Sequence, residues 1–107
     1  TMSEVTVTDT PDEGAFTIDV DGTRAGLTAY RDVPGAAERI FYHTEIGDEF
    51  GGQGLASKLV KQALDESIAA GKTIVPVCPY VKGWVQKHPD YQSSTTNATP
   101  EHLALVR

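Results

Sequence analysis

The sequence predicts an α+β fold: an antiparallel β-meander, then a β-α-β unit, then a short C-terminal helix. Three observations carry this. Apolar residues alternate in four successive stretches between residues 4 and 46, the period of a half-buried strand. Between residues 55 and 68 the apolar spacing changes to three and four residues, the period of an amphipathic helix. A glycine-rich stretch, Phe50–Ala56 (FGGQGLA), lies where the period changes.

The elements follow in order. Val5 and Val7 alternate with polar residues in a first strand over 4–9, and Phe16, Ile18 and Val20 mark a second. Asp21-Gly22 suits a tight hairpin turn. Ala25, Leu27 and Ala29 continue the alternation in a third strand, and Pro34-Gly35 breaks the chain. Residues 39–46 (RIFYHTEI) form a fourth strand. Strict alternation puts Ile40, Tyr42, Thr44 and Ile46 on one face and Phe41, His43 and Glu45 on the other. Leu55, Ala56, Leu59, Val60, Ala63, Leu64 and Ile68 give the helix its apolar stripe, and Gly71 is placed to end it. Thr73–Val77 is a fifth strand whose Pro76 cannot donate to a ladder, so it belongs at a sheet edge. Residues 81–87 form a short helix stopped at His88-Pro89. The expected domain spans 2–91, with Thr1 set aside, and a polar segment follows over 92–107. Strand four, helix and strand five form a right-handed crossover that sets the two strands parallel. Ligands in such units bind beyond the carboxyl ends of the strands. That edge carries the glycine loop and Cys78.

Composition narrows the function. The chain has 107 residues and a net charge of −6, which argues against broad nucleic-acid binding. No long uncharged apolar run predicts a membrane span. No leader is read at the N-terminus, and the single cysteine forms no internal disulfide, so a reducing, cytoplasmic location is the default expectation. The three histidines share no metal-ligand spacing with each other or with Cys78, so no metal site is expected. Acidic residues dominate up to residue 50 and lysines dominate over 51–91. An anionic cofactor therefore suits the second half, and a cationic amine suits the first.

A glycine-rich entry to a helix is an anion site in outline. The first helical turn has four unpaired N–H groups, and the dipole adds positive potential there. Gly51, Gly52 and Gly54 allow close backbone approach to a phosphate. Glycine for packing alone is the competing reading of such a turn.

The stretch FGGQGLA resembles the acetyl-CoA loop of the GNAT acyltransferase superfamily, which reads Arg or Gln, any, any, Gly, any, Gly or Ala. Gly54 and Ala56 fit the last two fixed positions, and Gly51 stands where Arg or Gln is expected. Together with HTEI at 43–46, PVCPYV at 76–81 and KHPDY at 87–91, it looks like the small N-acetyltransferases of the YjdJ-like family. The match extends across residues 40–91. This resemblance implies a minimal GNAT fold, acetyl-CoA as cosubstrate, and transfer to an amine acceptor that the sequence does not name. It implies backbone contact from Ile46 to the acetyl or pantetheine part. Main-chain N–H groups of Gly51, Gly52, Gln53, Gly54, Leu55 and Ala56 would meet the pyrophosphate. A binding module that holds acetyl-CoA with little turnover is the alternative, and the expected assembly is a monomer or weak dimer.

Four residues are candidates for chemistry. Cys78 could accept the acetyl group as a nucleophile or protonate the leaving thiolate; the plainer role is a small buried residue. His43 and Glu45 share a strand face, and either could deprotonate the amine; a packed or surface histidine is the plainer role for His43. Tyr80 could donate to the departing sulfur or belong to the core.

Overall fold

The computed structural model describes residues 4–47 and 54–106. Strands β1 (Val5–Thr10), β2 (Ala15–Val20), β3 (Thr23–Asp32) and β4 (Glu38–Ile46) precede helix α1 (Leu55–Ala69). Then follow β5 (Thr73–Pro76), α2 (Pro79–Lys87), a 3-10 turn over Pro89–Ser94, and α3 (Pro100–Leu105). The five strands lie side by side in chain order. β1 to β4 pair antiparallel, and β5 joins β4 in parallel. The predicted α+β order of meander and crossover is thus the observed one.

Local chemistry accounts for the joints. Asp21 and Gly22 both have positive φ, 52° and 84°, the primed hairpin geometry that an Asp-Gly pair favours. β5 is the last strand, where a proline costs no ladder bond on its outer side. α2 starts two residues earlier than the apolar pattern suggested, because Pro79 occupies its first turn. Beyond residue 91 the polar segment carries α3 at its end. Thr96 N–H donates to Ile74 O at 2.9 Å, and His102 Nε2 lies 2.9 Å from Glu38 Oε1. Thr99 N–H donates to Nδ1 of the same ring, so Nε2 carries the proton that bonds Glu38.

Helix α1 and part of α2 cover one face of the sheet. Phe16, Ile18, Tyr30, Phe41 and Ile74 pack there against Leu59, Val60, Ala63 and Leu64, with Val81, Trp84 and Val85 completing the core.

Two irregularities correct the strict alternation read from the sequence. Ala29 pairs with His43 but Tyr30 pairs with Phe41, so Tyr42 has no partner and forms a β-bulge. Beyond the bulge the face assignment inverts. Phe41 therefore joins Thr44 and Ile46 on the helix side, and exposed Tyr42 does not belong to that row. A second shift lies between Ile18 and Asp19, opposite Ala25. As a result β3 turns Thr28 and Tyr30 toward the helix, with Leu27 and Ala29 on the other face.

Arg39 is the charged member of the core. Its guanidinium binds Asp32 through Nε and Nη2 at 2.7 and 3.2 Å, and Nη1 donates to buried Ser67 Oγ at 3.2 Å. It also lies 4.2 Å over the Tyr30 ring, a cation–π distance. One side chain thus ties β3, β4 and α1 together. Hydrogen bonds from Arg39, more than its charge, hold the Asp32 carboxyl below its ordinary 3.8.

Replacing Arg39 with Met is expected to lower the unfolding free energy by about 2–3 kcal/mol in urea titration, less than for a fully buried pair because Asp32 is half exposed. A depressed carboxylate stabilises the fold above its unfolded pKa, and that contribution is lost as pH falls through the folded value. The acid limb of the stability curve should therefore flatten in Arg39→Met. At the alkaline end, burial and the hydrogen bond to Asp9 push the Tyr30 phenol up to about 12. An unfolded tyrosine ionises near ~10, so stability should decline as pH rises from there toward the folded value. Ultraviolet titration should find Tyr30 ionising late, toward about 12.

Candidate functional site

The pairing of β4 with β5 runs from Glu38↔Thr73 to Phe41↔Pro76 and stops. Val77 N–H and Cys78 N–H then both donate to Phe41 O, at 2.9 and 3.0 Å. The chain turns away into α2, with Cys78 as its N-cap residue. β4 continues through Ile46, and among the described residues β3 alone lies beside it. The result is a wedge between the second half of β4 and the start of α2. A strand edge open on one side can take main-chain hydrogen bonds from an extended ligand.

Cys78 sits at the apex of the wedge, 5% exposed. Its thiol donates to Thr44 Oγ1 at 3.5 Å, and Thr44 Oγ1 is 2.9 Å from Thr28 Oγ1. The alternation set Thr44 on a face with Ile46 but gave neither Thr44 nor Thr28 a part in the site. The available signal was that Thr28 and Thr44 are β-branched residues inside the two longest strands.

His43 Nε2 and Glu45 Oε2 are 3.0 Å apart, with side chains 56% and 61% exposed. They flank Thr44 in sequence and so lie on the opposite face of β4 from Cys78. The three proposed catalytic residues are therefore divided between the two faces of one strand, with the open edge of β4 between them. Ile46 pairs with Gly26 at the end of that edge. A Cβ on Gly26 would overlap Glu45 O and Ile46 Cδ1, so only glycine permits this approach. A shallow hollow of about 420 Å³, lined by Arg24, Gly26, Leu27, Glu45 and Ile46, lies beside it.

Of the expected anion loop, Gly51, Gly52 and Gln53 lie outside the described residues. Gly54 caps α1 with φ 70°, a left-handed conformation. Leu55 is buried in the core and Ala56 is half-buried. Among the described residues no side chain caps this N-terminus, and its first turn holds no acidic residue. The positive end of the dipole there favours an anionic acceptor.

From there a groove of about 400 Å³ runs between α1 and α2, lined by Ser57, Tyr80, Gly83, Trp84, Lys87 and His88. Trp84 Nε1–H donates to Ser57 Oγ at 3.0 Å, pinning the two helices together. His88 stacks on Trp84 at 3.8 Å. Tyr80 is 41% exposed, and partial burial raises its phenol pKa. A larger hollow of about 700 Å³ lies beyond β5, among Lys82, Gln86, Gln92 and Thr95–Asn97. The strand edge, Cys78 and the α1 terminus all lie elsewhere, so size does not mark the site here.

An extended chain along β4, an anionic group at α1 and a tail between the helices would together fill this arrangement. Comparison with known proteins gives the family. The family model for GCN5-related N-acetyl-transferases matches residues 15–94. The solution structure of a GCN5-like protein from Staphylococcus aureus, itself a candidate N-acetyltransferase, superposes with a TM-score of 0.67. It is 26% identical, over 94% of this chain and 97% of that one. A ribosomal-protein-alanine N-acetyltransferase from Brucella melitensis biovar Abortus 2308 shares the fold at a TM-score of 0.55 and 22% identity. That match covers 79% of this chain and 62% of that one. No curated protein shows significant sequence similarity.

Gly26→Ala tests the close approach of β3 to the end of β4. Overpacking of this kind is expected to cost about 1–3 kcal/mol in urea denaturation. The loss should be accompanied by faster amide exchange at Glu45 and Ile46, because the backbone there must move.

Proposed function

The chain belongs to the GCN5-related N-acetyltransferase family, and from that premise we propose that it transfers the acetyl group of acetyl-CoA to an amine. The observation that carries this reading is the N-terminus of α1, uncapped by any side chain among the described residues and without an acidic residue in its first turn, beside the open edge of β4 with Cys78 at the apex. In this reading the backbone of β4 up to Ile46 aligns the pantetheine chain. The main-chain N–H groups of Gly51–Ala56 take the pyrophosphate. The chain is a small YjdJ-like member of the family, with its working domain over residues 2–91, acting in the cytoplasm as a monomer or weak dimer.

The reaction needs a deprotonated amine, since a free lysine titrates near ~10.4. The His43–Glu45 pair supplies a base on the exposed face of β4. The amine nitrogen attacks the thioester carbon, and main-chain N–H groups on the open edge of β4 stabilise the oxyanion. Collapse of the intermediate breaks the C–S bond and leaves a thiolate that takes up a proton. Cys78 is the donor in this reading, because the partner of its thiol is a neutral hydroxyl, Thr44. A hydroxyl cannot activate a thiol as a nucleophile in the way an adjacent base does.

Calorimetry with acetyl-CoA is the primary test, and an absence of binding heat would sink the reading. Given binding, transfer to a panel of primary amines separates an enzyme from a binding module, for which all rates would stay at background. Cys78→Ala is expected to lower kcat about 100-fold, in the range of acid–base catalysis, with little change in acetyl-CoA affinity. Intact mass of the wild type after incubation with acetyl-CoA should show no added acetyl group. An acetyl adduct lost in Cys78→Ala would replace the proton-donor role with a covalent one.

A further inference from the structure

Independently of the acetyltransferase reading, we propose a second ligand site in the hollow outside β5. It takes a small zwitterion of the α-amino-acid class, with the ammonium on the carbonyls of Pro76 and Thr96 and the carboxylate on Lys82.

The two sides of β5 differ. Thr73 N–H donates to Ala37 O and Val77 N–H to Phe41 O, so alternate residues 73, 75 and 77 turn their main-chain groups toward β4. Ile74 and Pro76 turn theirs outward. A short piece of the C-terminal segment lies against that outer side. Ile74 is bridged in parallel to Thr95, and Thr96 N–H donates to Ile74 O at 2.9 Å. In a parallel pair the C=O of Thr96 points the same way as its N–H, so its partner would be the N–H of residue 76. Residue 76 is a proline and has none. The pairing stops after one bridge. Pro76 O and Thr96 O are left facing one gap, and among the described residues no backbone N–H reaches either.

That gap opens into the hollow of about 700 Å³, a volume within the range of small-molecule sites. α2 supplies one wall with Lys82 and Gln86, and the segment adds Gln92 and Asn97. The lining holds no carboxylate, and among the described residues none is paired with Lys82. Two carbonyls without a donor call for a group with several N–H bonds, which an ammonium supplies. A lysine flanked by side-chain amides calls for a carboxylate. A bare amine would face the charge of Lys82, and a bare carboxylate would face the two carbonyl oxygens. A zwitterion satisfies both ends. The wedge beside β4 lies on the other side of β5, so an amino acid held here is not placed to receive an acetyl group. It clips residues 95–97 to β5 and α2.

Amide chemical shifts of isotope-labelled protein are followed while L-glutamine, L-leucine, L-glutaminamide or N-acetyl-L-glutamine is added to about 20 mM, enough to reveal millimolar binding. Both amino acids should shift Lys82, Gln86 and Thr95–Asn97 saturably. L-Glutaminamide and N-acetyl-L-glutamine each lack one charge and should bind at least about tenfold more weakly, the worth of one charge-assisted contact. Lys82→Gln should weaken L-glutamine by about the same factor and leave acetyl-CoA binding as in the wild type. Pro76→Val supplies the missing N–H to Thr96 O, so it should close the gap and abolish L-glutamine binding. The inference is overturned if neither amino acid shifts these amides, or if either single-charge analogue binds as well as L-glutamine. It is also overturned if Lys82→Gln or a folded Pro76→Val binds L-glutamine like the wild type, and Lys82→Gln decides alone should Pro76→Val not fold. Binding of L-glutamine here by a protein that takes no acetyl-CoA would support this site and sink the acetyltransferase reading alone.

Discussion

The site depends on the point at which β5 parts from β4. Pro76 sits at that point with its ring nitrogen toward the outer side of β5, the side on which Ile74 O accepts from Thr96 N–H, so it withholds no donor from β4. At Phe41↔Pro76 the ladder ends, and the next two N–H groups converge on one carbonyl, Phe41 O. The chain is thereby steered off the sheet and into α2, whose first turn accommodates Pro79 because no helix bond is needed from its nitrogen. Among the described residues β4 is left with one partner for the rest of its length. The wedge with its open strand edge follows from that divergence.

The rest of the fold serves to hold that wedge still. The bulge at Tyr42 lies just beyond the point where β5 departs, and it re-aims the remainder of β4 so that Thr44 meets Cys78 while His43 and Glu45 turn outward. On the other side, Arg39 anchors the paired half of β4 to Asp32 of β3 and to Ser67 of α1. Trp84 ties α2 to Ser57 at the start of α1. The two halves of β4 are thus fixed independently, one by a charge network and one by a hydroxyl relay.

The charge asymmetry of the sequence takes on spatial meaning in this frame. The acid-free first turn of α1 and the lysine-bearing α2 belong to one side of the molecule. The carboxylates of β1 to β4 are largely engaged with arginines and histidines, as in Arg24 with Glu13 and Asp19 and His102 with Glu38. Local pairing thus accounts for several of the charges that the sequence presents only as an excess.

Much of this was legible without a structure. Period-two and period-3.6 patterns located every strand and the long helix, since side-chain direction along one element is set by its own backbone geometry. Asp21-Gly22 announced its turn, Pro76 its edge position, and the glycine-rich stretch the entry to α1, each through a conformational property of the residue itself. The tertiary structure alone decided which face Phe41 and Thr44 take, that Thr28 and Thr44 reach Cys78, that Arg39 is buried, and that Cys78 and the His43–Glu45 pair lie on opposite sides of β4. Those outcomes turn on two register shifts. A bulge belongs to the match between neighbouring strands, so one strand's sequence carries no local signal for it. The chain specifies its elements residue by residue, while the site arises where two of them stop fitting each other.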